Sequence, residues 1–141
     1  MEPSEIRKRV LGTLEQARRR VQIQREESDR ATKTWETLHP AAAASWKIAL
    51  NVLRAEGHHF SLQTPSGMLR VVSDRSAEDY VEVLLDTSQR PPAVLARTRL
   101  SRGRRVIDRE TIVADGDRVP DLTEERLLHV LLTELEPFVE R

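Results

Sequence analysis

Residues Ser4 to Leu38 run for 35 positions with no proline and a single glycine, Gly12. Arg, Glu and Gln dominate the stretch, and these side chains lose little rotamer freedom in a helix. The spacing predicts one long helix of about 50 Å, longer than a domain of this size needs, so part of it is expected to project from the body. Ser4 is the expected N-cap, with Arg7 standing where a capping box would carry Glu.

Within that helix Val10, Leu14, Ala17, Val21, Gln24, Ser28, Ala31, Trp35 and Leu38 follow one another in steps of four and three, which keeps one seam facing a partner. Only Gln24 and Ser28 are polar. Two readings follow. Either each end packs on its own domain with a solvated middle, or the seam is a coiled coil whose polar positions set register. The candidate protein-interaction residues are therefore Val10, Leu14, Ala17, Val21, Ala31, Trp35 and Leu38. Arg18, Arg19 and Arg20, with Arg7, Lys8 and Arg9, make the first half basic. Glu26, Glu27 and Asp29 make the centre more acidic, a distribution that favours antiparallel self-pairing.

Pro40 disfavours the α region at His39 and predicts a break there, dividing the chain into a helical arm, 1–39, and a compact domain, 40–141. A second helix is expected over Ala41–Glu56, with Gly57 as its C′ residue. Trp46, Ala49, Leu50 and Leu53 form one stripe and Ile48 and Val52 another, which marks the helix for burial. Beyond Gly57 the hydrophobic period becomes two. Phe60 and Leu62 alternate with polar residues, Pro65-Ser66-Gly67 turns, and Met68–Ser73 returns. Tyr80–Thr87, Ala93–Ser101 and Arg105–Val113 read as further strands, joined through Pro91-Pro92 and Arg102-Gly103-Arg104. Asp121 and Glu124 signal a final helix over Thr123–Glu136, stopped by Pro137. The expected fold is α+β: a long N-terminal helix and a second helix, an antiparallel meander of four to five strands, and a C-terminal helix packed on the sheet.

The chain has no cysteine, which excludes disulfides, thiolate metal sites and cysteine nucleophiles. The first thirty residues hold no apolar run of seven and no stretch approaches the length of a membrane span, so the expectation is a cytoplasmic protein without a membrane role. His39, His58, His59 and His129 lack ligand spacing, and neighbouring His58 and His59 point to opposite sides of a strand, so no metal is expected. Glu26-Glu27, Glu78-Asp79 and Glu124-Glu125 are adjacent acids of a kind common in a highly charged chain. Asp115-Gly116-Asp117 lacks the remaining ligands of a calcium loop. The five scattered glycines build no phosphate loop, and no cofactor is expected.

The 23 basic and 23 acidic side chains cancel, but they are not evenly spread. Arg90 to Arg109 holds seven arginines and one acid, whereas Glu110 to Arg141 holds three arginines and nine acids. Arg97, Arg99, Arg102, Arg104, Arg105 and Arg109 make a basic hairpin that resembles a groove-binding ribbon, although no aromatic side chain is interleaved for base stacking. Pairing with the acidic C-terminal segment is the structural alternative. A meander closed by a C-terminal helix is also similar in outline to helix-grip domains, which implies a small-ligand site as a further alternative. The sequence therefore points first to a non-catalytic interaction or oligomerisation module, homo-oligomeric or bound to a protein partner, and second to a nucleic-acid-binding protein.

Overall fold

The computed structural model describes residues 1–140. A helix α1 (Pro3–Ala55) is followed by strands β1 (Phe60–Gln63), β2 (Leu69–Ser73), β3 (Ser76–Asp86), β4 (Ala93–Arg102) and β5 (Arg105–Asp115), then a 3-10 turn over Gly116–Asp121, and helix α2 (Glu124–Val139). The strands form one antiparallel sheet in the order β1-β2-β3-β4-β5, so every neighbour in sequence is a neighbour in space. The α+β fold expected from the change of period is the fold observed.

Strand β3 starts at Ser76, four residues before the expected Tyr80, and three further differences concern the helices. The helix starts at Pro3, behind Glu2, which makes no side-chain cap, so Ser4 is not the N-cap. More importantly, α1 does not break at His39: Pro40 lies inside one 53-residue helix, and no second helix begins at Ala41. A proline here removes the bond to the Glu36 carbonyl at a cost of about 3 kcal/mol. Both residues are exposed, so the freed carbonyl is open to solvent. On the opposite side Trp35, Ala42 and Trp46 are buried in one core, and burying each large side chain returns roughly 1.5–3 kcal/mol, so docking on both sides of Pro40 holds the helix through it.

The third difference concerns α2. Its N-cap is Thr123, whose hydroxyl accepts from the Arg126 amide at 3.1 Å, two residues after the expected Asp121. At the other end Pro137 does not stop it, because Phe138 in the next position is buried and packs edge-on against Phe60 with ring centres 6.2 Å apart. The C-terminus of α1 behaves as expected. Gly57 adopts φ +91°, the Gly57 amide bonds the Arg54 carbonyl at 3.0 Å, and the His58 amide bonds the Leu53 carbonyl at 2.9 Å, a Schellman closure.

The core lies between one face of the sheet and the two helices. Register sets its rows: Leu69 pairs with Val83 and Val71 with Val81, while Val83 pairs with Ala96 and Val81 with Thr98. Leu69, Val71, Val81, Val83 and Ala96 meet Trp46 and Leu50 of α1 and Leu127, Leu131 and Leu135 of α2 in one cluster. The opposite face carries Leu95 and Glu82, both buried, and a set of charged side chains. One row across it reads Arg70, Glu82, Arg97, Glu110, alternating in sign over four strands. Opposite charges on neighbouring strands attract, which offsets the burial of Glu82, 8% exposed, within the row.

Two clamps fasten α1 to the sheet's turns. Trp35 Nε1 donates to the Gly67 carbonyl at 2.8 Å, and four residues later His39 Nε2 lies 3.1 Å from the Met68 carbonyl. Because a carbonyl only accepts, Nε2 of His39 carries the proton. The loop 87–92 is tied from the other side by the Gly116 amide, which donates to the Pro92 carbonyl at 2.9 Å. Gly116 has φ +52°, and a Cβ there would stand 3.3 Å from Pro91, so a side chain at this point would be both strained and crowded.

Candidate interaction surfaces

Helical residues that cover nothing are the first candidate. Every residue from Met1 to Ile23 is exposed, and the first buried residue of α1 is Ala31. At about 1.5 Å per residue the free stretch is roughly 30 Å long. Its larger apolar side chains stand in water: Ile6 is 48% exposed, Val10 52%, Leu11 53%, Leu14 45% and Val21 53%. At 100° per residue these five and Ala17 fall in one stripe about 140° wide, with Ile23, 52% exposed, outside it, and that stripe lies on the same side of α1 as Trp35, Ala42 and Trp46. The seam thus runs along the helix, interrupted only by polar Gln24 and Ser28, with its second half buried in the chain's own core and its first half exposed.

This splits the seven seam residues. Val10, Leu14, Ala17 and Val21 are free to meet another molecule. Ala31 and Trp35 are buried in the chain's own core and Leu38 packs against it, so these three hold the helix to its sheet. The compact unit accordingly takes in α1 from well before residue 40. Gln24 and Ser28, the polar seam positions, sit at the changeover, where α1 and the loop 87–92 form an open groove of about 390 Å³. Asp86 organises that loop. It accepts from the Ser88 hydroxyl at 2.5 Å and the Ser88 amide at 2.9 Å, and these bonds hold its carboxyl below the usual carboxylate range.

The arginine-rich hairpin is the second candidate, and its charges are largely spoken for. On the outer face Arg97 Nε is 2.9 Å from Glu110 and Arg99 is 3.8 Å from Asp108, both acids of β5 directly across the ladder. Arg109 points to the inner face and pairs with Glu134 of α2, which also accepts from the Thr98 hydroxyl at 2.8 Å. Glu134 is 7% exposed, so this small network ties β4, β5 and α2 together at a buried point. Arg102, Arg104 and Arg105 at the tip have no ion pair among the described residues. Sequence reasoning missed Glu134 because an acid in a helix reads as solvated until the facing strand supplies a hydroxyl and a guanidinium.

The remaining candidates disperse. His39 is spent on the Met68 carbonyl and touches Trp35, while His58 and His59 line an open depression of about 400 Å³ with Asp74 and Arg75 at the end of β1. Glu124 bonds Ser45 and joins α2 to α1. Among the described residues no group of three His, Asp or Glu side chains is arranged to hold a metal ion, and no helix is long and apolar enough to cross a membrane. No protein-family model, curated protein or solved structure matches this chain.

Proposed function

We propose that this chain is a non-catalytic interaction module: the sheet and its two helices form a base, and residues 3–23 of α1 are a docking arm for a helix of a protein partner. One observation supports the reading above all, the uncovered apolar stripe of Ile6, Val10, Leu11, Leu14, Ala17 and Val21 continuing the seam that packs the core. Isolated helices gain most of their stability from packing an amphipathic face, so a bare stripe on a long helix is a surface awaiting a cover. Comparing the full chain with one lacking residues 1–23 tests it. Loss of association, measured by light scattering and by capture of partners from native lysate, is expected, with the thermal midpoint unchanged because no residue of the arm is buried. A monomeric full chain that captures the same partners as the shortened one rejects the reading.

Nucleic-acid binding through the basic hairpin draws on Arg102, Arg104 and Arg105 alone, since Arg97, Arg99 and Arg109 are engaged. Three phosphate contacts give a shallow salt dependence, of slope about −2.7 on a logarithmic scale for duplex DNA. A steeper slope in filter binding would place the site elsewhere on the molecule.

A further inference from the structure

The rim of the apolar stripe identifies what covers it. Residues 3–23 carry six basic side chains and two acidic ones. Arg7 stands one heptad before Leu14 in the seam itself, Arg18 and Arg25 stand on the Leu11 side of the stripe, and Arg20 borders it on the other side. The acid nearest this rim, Glu15, lies one step further round and is already 3.3 Å from Arg19. An amphipathic helix laid in the stripe brings its own flanking side chains against these arginines, and flanking charge selects partners in paired helices. The stripe also contains Ala17, a small residue between Leu14 and Val21, which leaves room for a large apolar anchor from the other helix.

We infer that the arm's partner is an acidic amphipathic helix, with apolar anchors at heptad spacing and Glu or Asp at the flanking positions. The inference rests on the docking reading above and names the chemistry of its partner. A second copy of this chain fits less well. Parallel pairing in register sets Arg7 against Arg7 and, on both sides, Arg20 against Arg25. Antiparallel pairing that overlaps the stripes lays two equally basic segments along each other. The acidic centre at Glu26 and Glu27 lies beyond Val21, so antiparallel overlap of the two stripes leaves it outside the paired length. A flat anionic membrane fits less well too. The stripe faces the same side of α1 as the sheet, so a plane touching the arm meets the body of the domain, whereas a helix about 10 Å across lies in the angle between them.

The test uses the full chain and two labelled three-heptad peptides with Leu at both seam positions, one with Glu and one with Lys at the flanking positions; like charge keeps each peptide from pairing with itself. Anisotropy titrations at low salt are expected to show the Glu peptide binding about tenfold tighter or more, with the gap closing at high salt. A chain with Arg18→Glu, Arg20→Glu and Arg25→Glu, all exposed positions, should reverse the preference while keeping its thermal midpoint. Equal binding of the two peptides, or an unchanged preference in the variant, overturns the acidic partner and leaves the docking arm standing. Binding of neither peptide by a monomeric chain overturns both. A stable dimer in which the arms exclude the peptides, or tighter association with phosphatidylserine vesicles than with the Glu peptide, assigns the stripe to another occupant and overturns the inference.

Discussion

The two halves of α1 share a backbone and a seam and differ in what surrounds that seam. In the first half Leu14 is 45% exposed, while in the second Trp46, at the same helical orientation within about 40°, is 0% exposed. Around Trp46 the helix offers Ala41, Ala42, Ala43, Ala44 and Ser45, small uncharged residues that let a sheet and a second helix approach closely. Around Leu14 it offers Arg7, Arg18 and Arg20. Hydrophobic spacing creates a face in both halves. The size and charge of the flanking residues decide whether that face closes on the chain's own core or stays open to another molecule.

Substitutions along α1 break or sharpen this contrast. Trp46→Ala should show the largest effect, a loss of about 3–5 kcal/mol in denaturant unfolding, since it empties a fully buried site. A loss below about 1 kcal/mol would mean that the second half is not anchored by this ring. Pro40→Ala should stabilise by about 2 kcal/mol, because it restores the bond to the Glu36 carbonyl less a smaller gain of freedom in the unfolded chain. A destabilised Pro40→Ala variant would argue for a break in the helix after all. Trp35→Phe removes the donor to the Gly67 carbonyl and is expected to cost about 1 kcal/mol, with the signals of the turn at Ser66 and Gly67 shifting most in an NMR comparison.

Leu14→Ala should change unfolding free energy by less than about 0.5 kcal/mol while weakening association through the arm, and a larger loss of stability would show that the first half packs on its own domain. The smallest effect belongs to the loop at the changeover. The folded state holds the Asp86 carboxyl below its ordinary value, so the ionised form is favoured by folding. Its contribution is present above the ordinary aspartate range and is lost as pH falls through the lowered value. The Ser88 amide shift should follow that titration and become independent of pH in Asp86→Asn.

Much of the fold was legible in local pattern. The alternation of Val81, Val83 and Leu85, the turn at Arg102-Gly103-Arg104 and the cap glycine Gly57 each report on residues close in sequence, and each element formed as expected. Pro40 and Pro137 misled, because a proline's local cost is set against burial that no local pattern contains: Trp46 on one side of Pro40, Phe138 against Phe60 beside Pro137. Half of the candidate arm was legible on the same terms. The spacing from Val10 to Leu38 defined a seam but carried no mark of where the sheet ends beneath it.

The arginine hairpin divides in the same way. Its charge was plain, and the pairing of Arg97 with Glu110 follows once β4 and β5 are in register, but the bond from Arg109 to Glu134 spans 25 residues and needs α2 laid across the sheet. The sequence by itself determined a long helix, a meander, a closing helix and a seam at heptad spacing, because helix and strand formation answer to residues within a few positions of one another. Only the tertiary structure decided that the helix passes through Pro40, that Ala31 and Trp35 belong to the core, and that the stripe from Ile6 to Val21 is left uncovered. Each of those depends on which surfaces meet across the fold.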